Sequence, residues 1–239
     1  MKAFILSAGL GTRLRLLTHD RPKVMVEIGG KPVLEHLINL CRYHGIQDFV
    51  INLHYLPDVI RNYFGNGEKF GVKIAYSFEK EKIMGGAGAL KLAQDLLKDD
   101  PFFVLNGDVM TNVDLTAMAK FHQEKGGLGT FLVHDTDHPY DSDLVEFDES
   151  FLIKRFFRPK PEDQFKPISK TGTHIFEPEV LRYIPGNVKY SLEDQLIPNL
   201  LQKGEKLYAF YSHAYSKDMG TPARLAQVRK DYAAGKISF

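Results

Sequence analysis

The chain has 239 residues, 44% of them apolar and 26% charged, a balance that suits one large globular domain or two small ones and excludes a disordered tail. A formal net charge of +1 supplies no global field toward nucleic acid or anionic lipid, so an anionic partner has to be caught locally. The single Cys41 has no partner for an internal disulfide, no apolar run approaches the roughly 18–20 residues that span a bilayer, and the first residues lack a signal-like segment; a cytoplasmic protein with no membrane or nucleic-acid partner is expected. Residues 3–8 are an apolar run that stops at Gly9, which reads as a buried strand. Residues 32–44 carry Val33, Leu34, Leu37, Ile38, Leu40 and Cys41 at helical spacing and are closed by Gly45. Strands over 48–53, 72–78 and 102–105 then alternate with helices over 58–64 and 87–97, which predicts an α/β chain with a largely parallel sheet covered by helices on both faces. A helix over 114–125, ended by Gly126 and Gly127, precedes strands over 129–135, 144–148, 151–157 and 168–176 with short connections, so this half reads as more antiparallel. A helix over 190–203 with Ser191 as N-cap, a strand over 207–211 and a helix over 222–232 complete the series. The three-proline segment 159–167 reads as a loop over a site.

Three segments carry chemistry. The first is Leu6-Ser7-Ala8-Gly9-Leu10-Gly11-Thr12-Arg13-Leu14, followed by Pro22-Lys23. A glycine-rich turn at the carboxyl end of a first strand lets backbone N–H groups approach phosphates, while Arg13 and Lys23 supply cations. It is not a dinucleotide fingerprint, since Leu14 stands where the third glycine would fall, and no Gly-Lys-Ser/Thr makes it a Walker loop. The second is Asn106-Gly107-Asp108, a carboxylate just past a buried strand, at the sheet edge where α/β proteins bind ligands. The third is Asp218-Met219-Gly220-Thr221-Pro222, another carboxylate between strand and helix. Taken singly, each has a plain structural reading as a tight turn or a helix start. No G-x-S-x-G elbow and no H-E-x-x-H pair occurs, and His134, His138, His174 and His213 read as structural or surface residues.

In this order and combination the motifs resemble the sugar-1-phosphate nucleotidyltransferases, or nucleotide-sugar pyrophosphorylases, nearly end to end. The resemblance implies a Rossmann-like three-layer α/β fold: a mainly parallel mixed sheet flanked by helices, with a small antiparallel sugar-binding portion. It implies that Leu6, Ala8, Gly9, Gly11 and Thr12 line a nucleotide pocket, that Arg13 grips the triphosphate, and that Lys23 reaches the α-phosphate or the sugar phosphate. Asp108 and Asp218 would hold Mg²⁺. The stretch 84–90 resembles the family's base and ribose segment, assigning Gly85, Gly86 and Gly88 to nucleotide binding, with Gly86 where threonine is usual. Lys160 of the Lys160-Pro161 pair would meet the sugar phosphate, and Thr171 and Gly172 the sugar. The chain departs from the family pattern at Leu16, Pro159 and Ser216, which touches sugar recognition more than the reaction.

The implied reaction joins a nucleoside triphosphate and a sugar 1-phosphate into a nucleotide-sugar and pyrophosphate, by in-line attack that needs positioning and electrostatics rather than a covalent nucleophile. The segments 141–146 and 157–161 resemble a bacterial branch acting on heptose or mannose 1-phosphate with GTP. Alternatives are a uridylyl- or thymidylyltransferase, a glycosyltransferase, and a non-catalytic nucleotide-sugar-binding regulatory subunit. A glycosyltransferase would need a paired carboxylate motif, and residues 106–110 supply one acid. The expected organisation is one nucleotidyltransferase domain over 1–239 with no C-terminal β-helix, with a homodimer as the default assembly.

Overall fold

The computed structural model describes residues 1–237, apart from the Arg15 side chain. Its strands are β1 (Lys2–Leu6), β2 (Glu27–Ile28), β3 (Lys31–Pro32), β4 (Asp48–Leu53), β5 (Lys73–Phe78), β6 (Phe102–Asn106), β7 (Val109–Thr111), β8 (Gly129–Asp135), β9 (Leu144–Phe147), β10 (Ile153–Phe157), β11 (Ile168–Phe176), β12 (Leu207–Tyr211) and β13 (Ser216–Asp218). The α-helices are α1 (Arg15–Thr18), α2 (Val33–Tyr43), α3 (Pro57–Phe64), α4 (Gly85–Leu92), α5 (Gln94–Leu97), α6 (Leu115–Lys125), α7 (Ile197–Gln202) and α8 (Pro222–Ala233). The main sheet runs β10-β9-β11-β6-β1-β4-β5, with β8 paired to β11 and β12 paired to β8.

The expected division holds. β6, β1, β4 and β5 are mutually parallel, whereas β11 runs antiparallel to β6, β8 and β9. One pair in the second half departs from it, since β12 lies parallel to β8. Alternate residues of β1 enter different cores. Ala3 and Ile5 pack with Leu34, Leu37 and Ile38 of α2, while Phe4 packs with Ala87, Ala89 and Leu90 of α4. A strand buried on both faces by helices reads as a continuous apolar run for that reason.

The β1 strand ends at Leu6 rather than at residue 8 because the Ser7 N–H leaves the ladder to donate to Asn52 Oδ1 at 2.6 Å. The helix expected over 87–97 breaks at Ala93 into α4 and α5. The helix expected over 190–203 begins with a π turn, Leu192–Leu196, before α7; Pro198 has no N–H to continue the i→i−4 ladder, so the chain closes this turn with wider bonds. Two small pairs had no sequence signal: the β2–β3 hairpin and the antiparallel β7–β13 ribbon. A third apolar cluster, containing Leu14, Met110, Met219, Leu225 and Val228, ties the opening loop, β7, the Asp218 turn and α8 together beneath that ribbon.

His36, His122 and His174 are buried, and burial pushes all three imidazoles below their ordinary value, His122 to about 4. The unfolded chain, with histidines near ~6.5, therefore binds more protons than the folded one at mildly acid pH. Their contribution to stability is fully present above that value and is lost as the pH falls through it. Glu79, raised by burial, works in the opposite sense. Thermal melting is expected to drop between pH 7.5 and pH 5.5, and a melting temperature that stays flat over that range contradicts the account.

Candidate active site

The opening turn is held open by its own backbone. Gly11 has φ +64, its carbonyl accepts the Leu14 N–H and the Thr18 hydroxyl at 2.9 Å each, and an added Cβ would stand 3.0 Å from Thr18 Cγ2 and 3.2 Å from Lys23 Cβ. Glycine is required there both by the left-handed backbone and by the space. At the end of β6 the Gly107 N–H donates to the Leu6 carbonyl at 2.9 Å, and a Cβ on Gly107 would lie 2.6 Å from that same oxygen. The close approach sets Asp108 beside the opening turn. There its Oδ2 takes an ion pair from Lys23 Nζ, a side chain fixed by the 3₁₀ turn Lys23–Met25 after Pro22.

Asp218 arrives through the ribbon. In its register Asp218 faces Val109, and the Met219 N–H donates to the Asp108 carbonyl at 3.0 Å, so the two acidic residues occupy adjoining strand ends. Asp218 Oδ1 accepts the Gly220 N–H at 2.8 Å, and Oδ2 accepts Arg224 Nη1 at 2.9 Å. A Cβ on Gly220 would stand 2.7 Å from Asp218 Oδ1 and 2.9 Å from Arg13 Nη2, which puts the Arg13 guanidinium at the same turn.

Two cavities meet here. One, of about 370 Å³, is lined by Leu6, Ala8, Gly9, Gly11, Thr12, Arg13, Lys23 and Asp108 together with Gly85 and Gly86. The second, of about 980 Å³, contains Thr171, Gly172 and Asp218. Asn106 and Glu193 belong to both walls. The structure thus gathers all but two of the expected site residues along one connected crevice. Gly88 lies outside it, where its N–H donates to the Tyr190 carbonyl at 3.0 Å and a Cβ would meet the Val188 carbonyl at 3.0 Å. Lys160 lines neither cavity; its N–H closes a local turn on Asp163 Oδ2 at 2.7 Å.

The crevice also contains groups that no motif announced. Glu79 is 3% exposed, accepts the Met84 N–H at 2.7 Å and the Asn52 amide, and lines the smaller cavity with Asn52. Burial pushes its carboxyl above the usual range, against the two N–H donors that favour the ionised form. On β11, the Lys170 side chain is only 5% exposed and its ammonium donates to Glu193 Oε1 at 2.9 Å and to the Thr171 carbonyl at 3.2 Å. His174 Nε2 lies 3.3 Å from the same ammonium. Burial opposes ionisation of Glu193, yet the Lys170 charge beside it holds the carboxyl below its usual range. The signals were faint: a lysine within an otherwise largely buried strand, and an asparagine at the end of one.

Among the described residues no three His, Cys, Asp or Glu side chains converge as a metal cage. Asp218 on β13 and Asp108 in the turn just before β7 are nonetheless the kind of donor set that Mg²⁺ uses when phosphates and waters complete its octahedron, and they do not match a zinc or calcium cage. The pair fits Mg²⁺.

A twisted, mainly parallel sheet with a glycine turn at its first strand end and acids at the next ones defines an α/β nucleotide-binding protein. Residues 2–235 match the Nucleotidyl transferase family, and the chain belongs to it. It is 40% identical over 222 residues to a Synechocystis UTP–glucose-1-phosphate uridylyltransferase, covering 87% of this chain and 57% of that protein. It is 36% identical over 244 residues to the Saccharomyces cerevisiae mannose-1-phosphate guanyltransferase, covering 100% of this chain and 64% of the relative. The chain therefore spans less than two thirds of the length of these relatives. Among solved structures, HddC from Yersinia pseudotuberculosis superposes with a TM-score of 0.81 at 25% identity, covering 97% of this chain and 99% of that one. The UDP-glucose pyrophosphorylase of Acinetobacter baumannii shares the fold with a TM-score of 0.85 at 18% identity, covering 98% and 93%.

Removing one partner of a buried ion pair strands the other charge, so Lys170→Ala is expected to destabilise the protein by about 3 kcal/mol, with Lys170→Met/Glu193→Leu recovering most of it. Denaturant melts would read this, and a single mutant within about 0.5 kcal/mol of the parent would show that the pair is solvated.

Proposed function

We propose that the chain is a nucleotidyltransferase that joins a nucleoside triphosphate to a sugar 1-phosphate, with GTP and mannose or heptose 1-phosphate as the favoured pair. The observation that carries this reading is the convergence of Arg13, Lys23, Asp108 and Asp218 where a nucleotide-sized cavity meets a larger polar one. The triphosphate lies along the opening turn and the sugar phosphate enters from the second cavity. An oxygen of the sugar phosphate attacks the α-phosphorus, the bond from that phosphorus to its β-bridging oxygen breaks, and pyrophosphate leaves with the electron pair.

Both reactants are anions, so their repulsion has to be offset before they meet. Arg13, at the Gly220 turn, binds the leaving phosphates through its planar fork. Lys23 exchanges its carboxylate partner for an α-phosphoryl oxygen, while Gly9 and Gly11 let backbone N–H groups approach the phosphates. Mg²⁺, held by Asp108 and Asp218, would neutralise phosphate charge and orient the oxygens around it. Glu193 and Lys170, with Thr171 and Gly172, offer acceptors and a donor to the sugar side. The protein acts in the cytoplasm, where buried Cys41 stays reduced; no helix among the described residues is long and apolar enough to cross a membrane.

Guanine is favoured because Glu79 sets a carboxylate in the wall of the smaller cavity, bonded to Asn52, and guanine presents two N–H donors on one edge. The 40% identity to a uridylyltransferase supports UTP as the second reading. Pyrophosphate release from a panel of triphosphates and sugar 1-phosphates with Mg²⁺ decides between them, and release from no pair rejects the activity. Asp108→Asn and Asp218→Asn are each expected to raise the barrier by about 3 kcal/mol, roughly a hundredfold in rate, with a cooperative melt showing that each variant still folds. Near-parental rates would remove both acids from the reaction. Glu79→Gln is expected to lower the GTP over UTP ratio of kcat/KM about tenfold, and an unchanged ratio would release Glu79 from base selection.

A further inference from the structure

Arg224 stands in the first turn of α8, where its N–H donates to the N-cap hydroxyl of Thr221 at 3.3 Å. Its two terminal nitrogens go to different carboxylates. Nη1 donates to Asp218 Oδ2 at 2.9 Å and Nη2 to Asp141 Oδ2 at 2.8 Å. Asp141 closes the 3₁₀ turn Pro139–Asp141 on the rim of the larger cavity, a turn braced by His138 Nδ1 at 3.0 Å from Thr136 Oγ1 and 2.9 Å from Ser142 Oγ. One planar side chain therefore spans from the proposed metal carboxylate to a loop 77 positions earlier in the chain.

A partly exposed ion pair contributes little to stability, so fold maintenance is a weak reason for this arrangement. Its geometric consequence is larger. With Oδ1 taken by the Gly220 N–H and Oδ2 by Arg224, the orientation of the Asp218 carboxylate is set from both sides. The Gly220 contact comes from the backbone two residues on. The Arg224 contact comes from a guanidinium whose other half is held by a cavity-rim side chain that is 76% exposed. Arg224 thus bridges the rim of the larger cavity and the Asp218 carboxylate.

We propose that Arg224 is a positioning residue that fixes the Asp218 carboxylate and, by its second bond to Asp141, couples the rim of the larger cavity to that carboxylate. The proposal rests on the reading of Asp218 as a metal carboxylate. It concerns orientation, not contact with substrate. Lysine at the same place can reach one carboxylate but cannot present two parallel N–H edges to both.

The test is a Mn²⁺ titration of the full chain without nucleotide, read by electron paramagnetic resonance as free against bound ion. Residues that orient a metal ligand from behind typically cost 10–100-fold in metal affinity when removed, so Arg224→Gln is expected to weaken Mn²⁺ binding about tenfold. Arg224→Lys should recover part of the loss. Asp141→Asn, remote from the ion, should also weaken binding, and should have no further effect in the Arg224→Gln background, the signature of a shared path in a double-mutant cycle. Tighter Mn²⁺ binding by Arg224→Gln would show a competing cation instead of a positioning one, and unchanged binding would show a surface pair; either overturns the proposal. Additive effects of the Asp141 and Arg224 changes would overturn the coupling. Melting temperatures identify a variant that fails to fold, in which case Arg224→Lys carries the comparison. A parent protein that binds no Mn²⁺ would defeat the metal reading of Asp218 and this proposal with it, while pyrophosphate release, measured separately, reports on the nucleotidyltransferase activity.

Discussion

Two carboxylates brought to one lip of a crevice repel each other, and the rest of the site is arranged around that cost. The β7–β13 ribbon fixes their backbones by a hydrogen bond between Met219 and Asp108, and the cluster of Leu14, Met110, Met219 and Leu225 beneath it leaves neither strand end free to retreat. Each acid is met by a cation of the chain, Lys23 for Asp108 and Arg224 for Asp218. The free protein thus keeps its charge balanced: Lys23 can pass from Asp108 to a nucleotide phosphate, while Arg224 stays on Asp218 and holds its orientation. Such an exchange needs few new contacts, because the strand ends and the glycine turn hold their places without the ligand.

The two cavities divide the work by chemistry. The smaller sets the glycines and small residues of the opening turn beside Arg13, Lys23 and Glu79, which suits phosphates and a flat base. The larger is rich in charged side chains that already pair with one another, Lys170 with Glu193 and Arg224 with Asp141 and Asp218. A polar cavity whose charges are internally matched is suited to reading hydroxyl groups through the lone pairs and N–H groups that remain. Asn106 and Glu193 form the wall that the two cavities share, and Asp108 lines the smaller cavity with them.

The fold was legible where local pattern and tertiary burial agree. The apolar run of residues 102–105 announced a fully buried strand and, with it, the place of Asp108 at the binding edge of the sheet. Asp218 could be placed only through its resemblance to a family motif, since β13 is three residues long, two of them charged, and carries no alternation to read. The Lys170–Glu193 pair was invisible for a different reason. Its partners lie 23 residues apart, and Glu193 sits in a π turn where a regular helix was expected, which changes the direction of its side chain. Lys160 shows the converse: a matching dipeptide put it at the sugar phosphate, yet its backbone is committed to a turn on Asp163 outside both cavities. Motif order carried the family, while the orientation of side chains toward a shared crevice needed the fold.

Calorimetric titration of GTP into the full chain, with Mg²⁺ and again with the metal chelated, tests most directly whether the paired acids and their two cations form a seat for a metal-bound triphosphate. The account predicts binding that is strong with Mg²⁺ and largely lost without it. Equal affinity under the two conditions would contradict it.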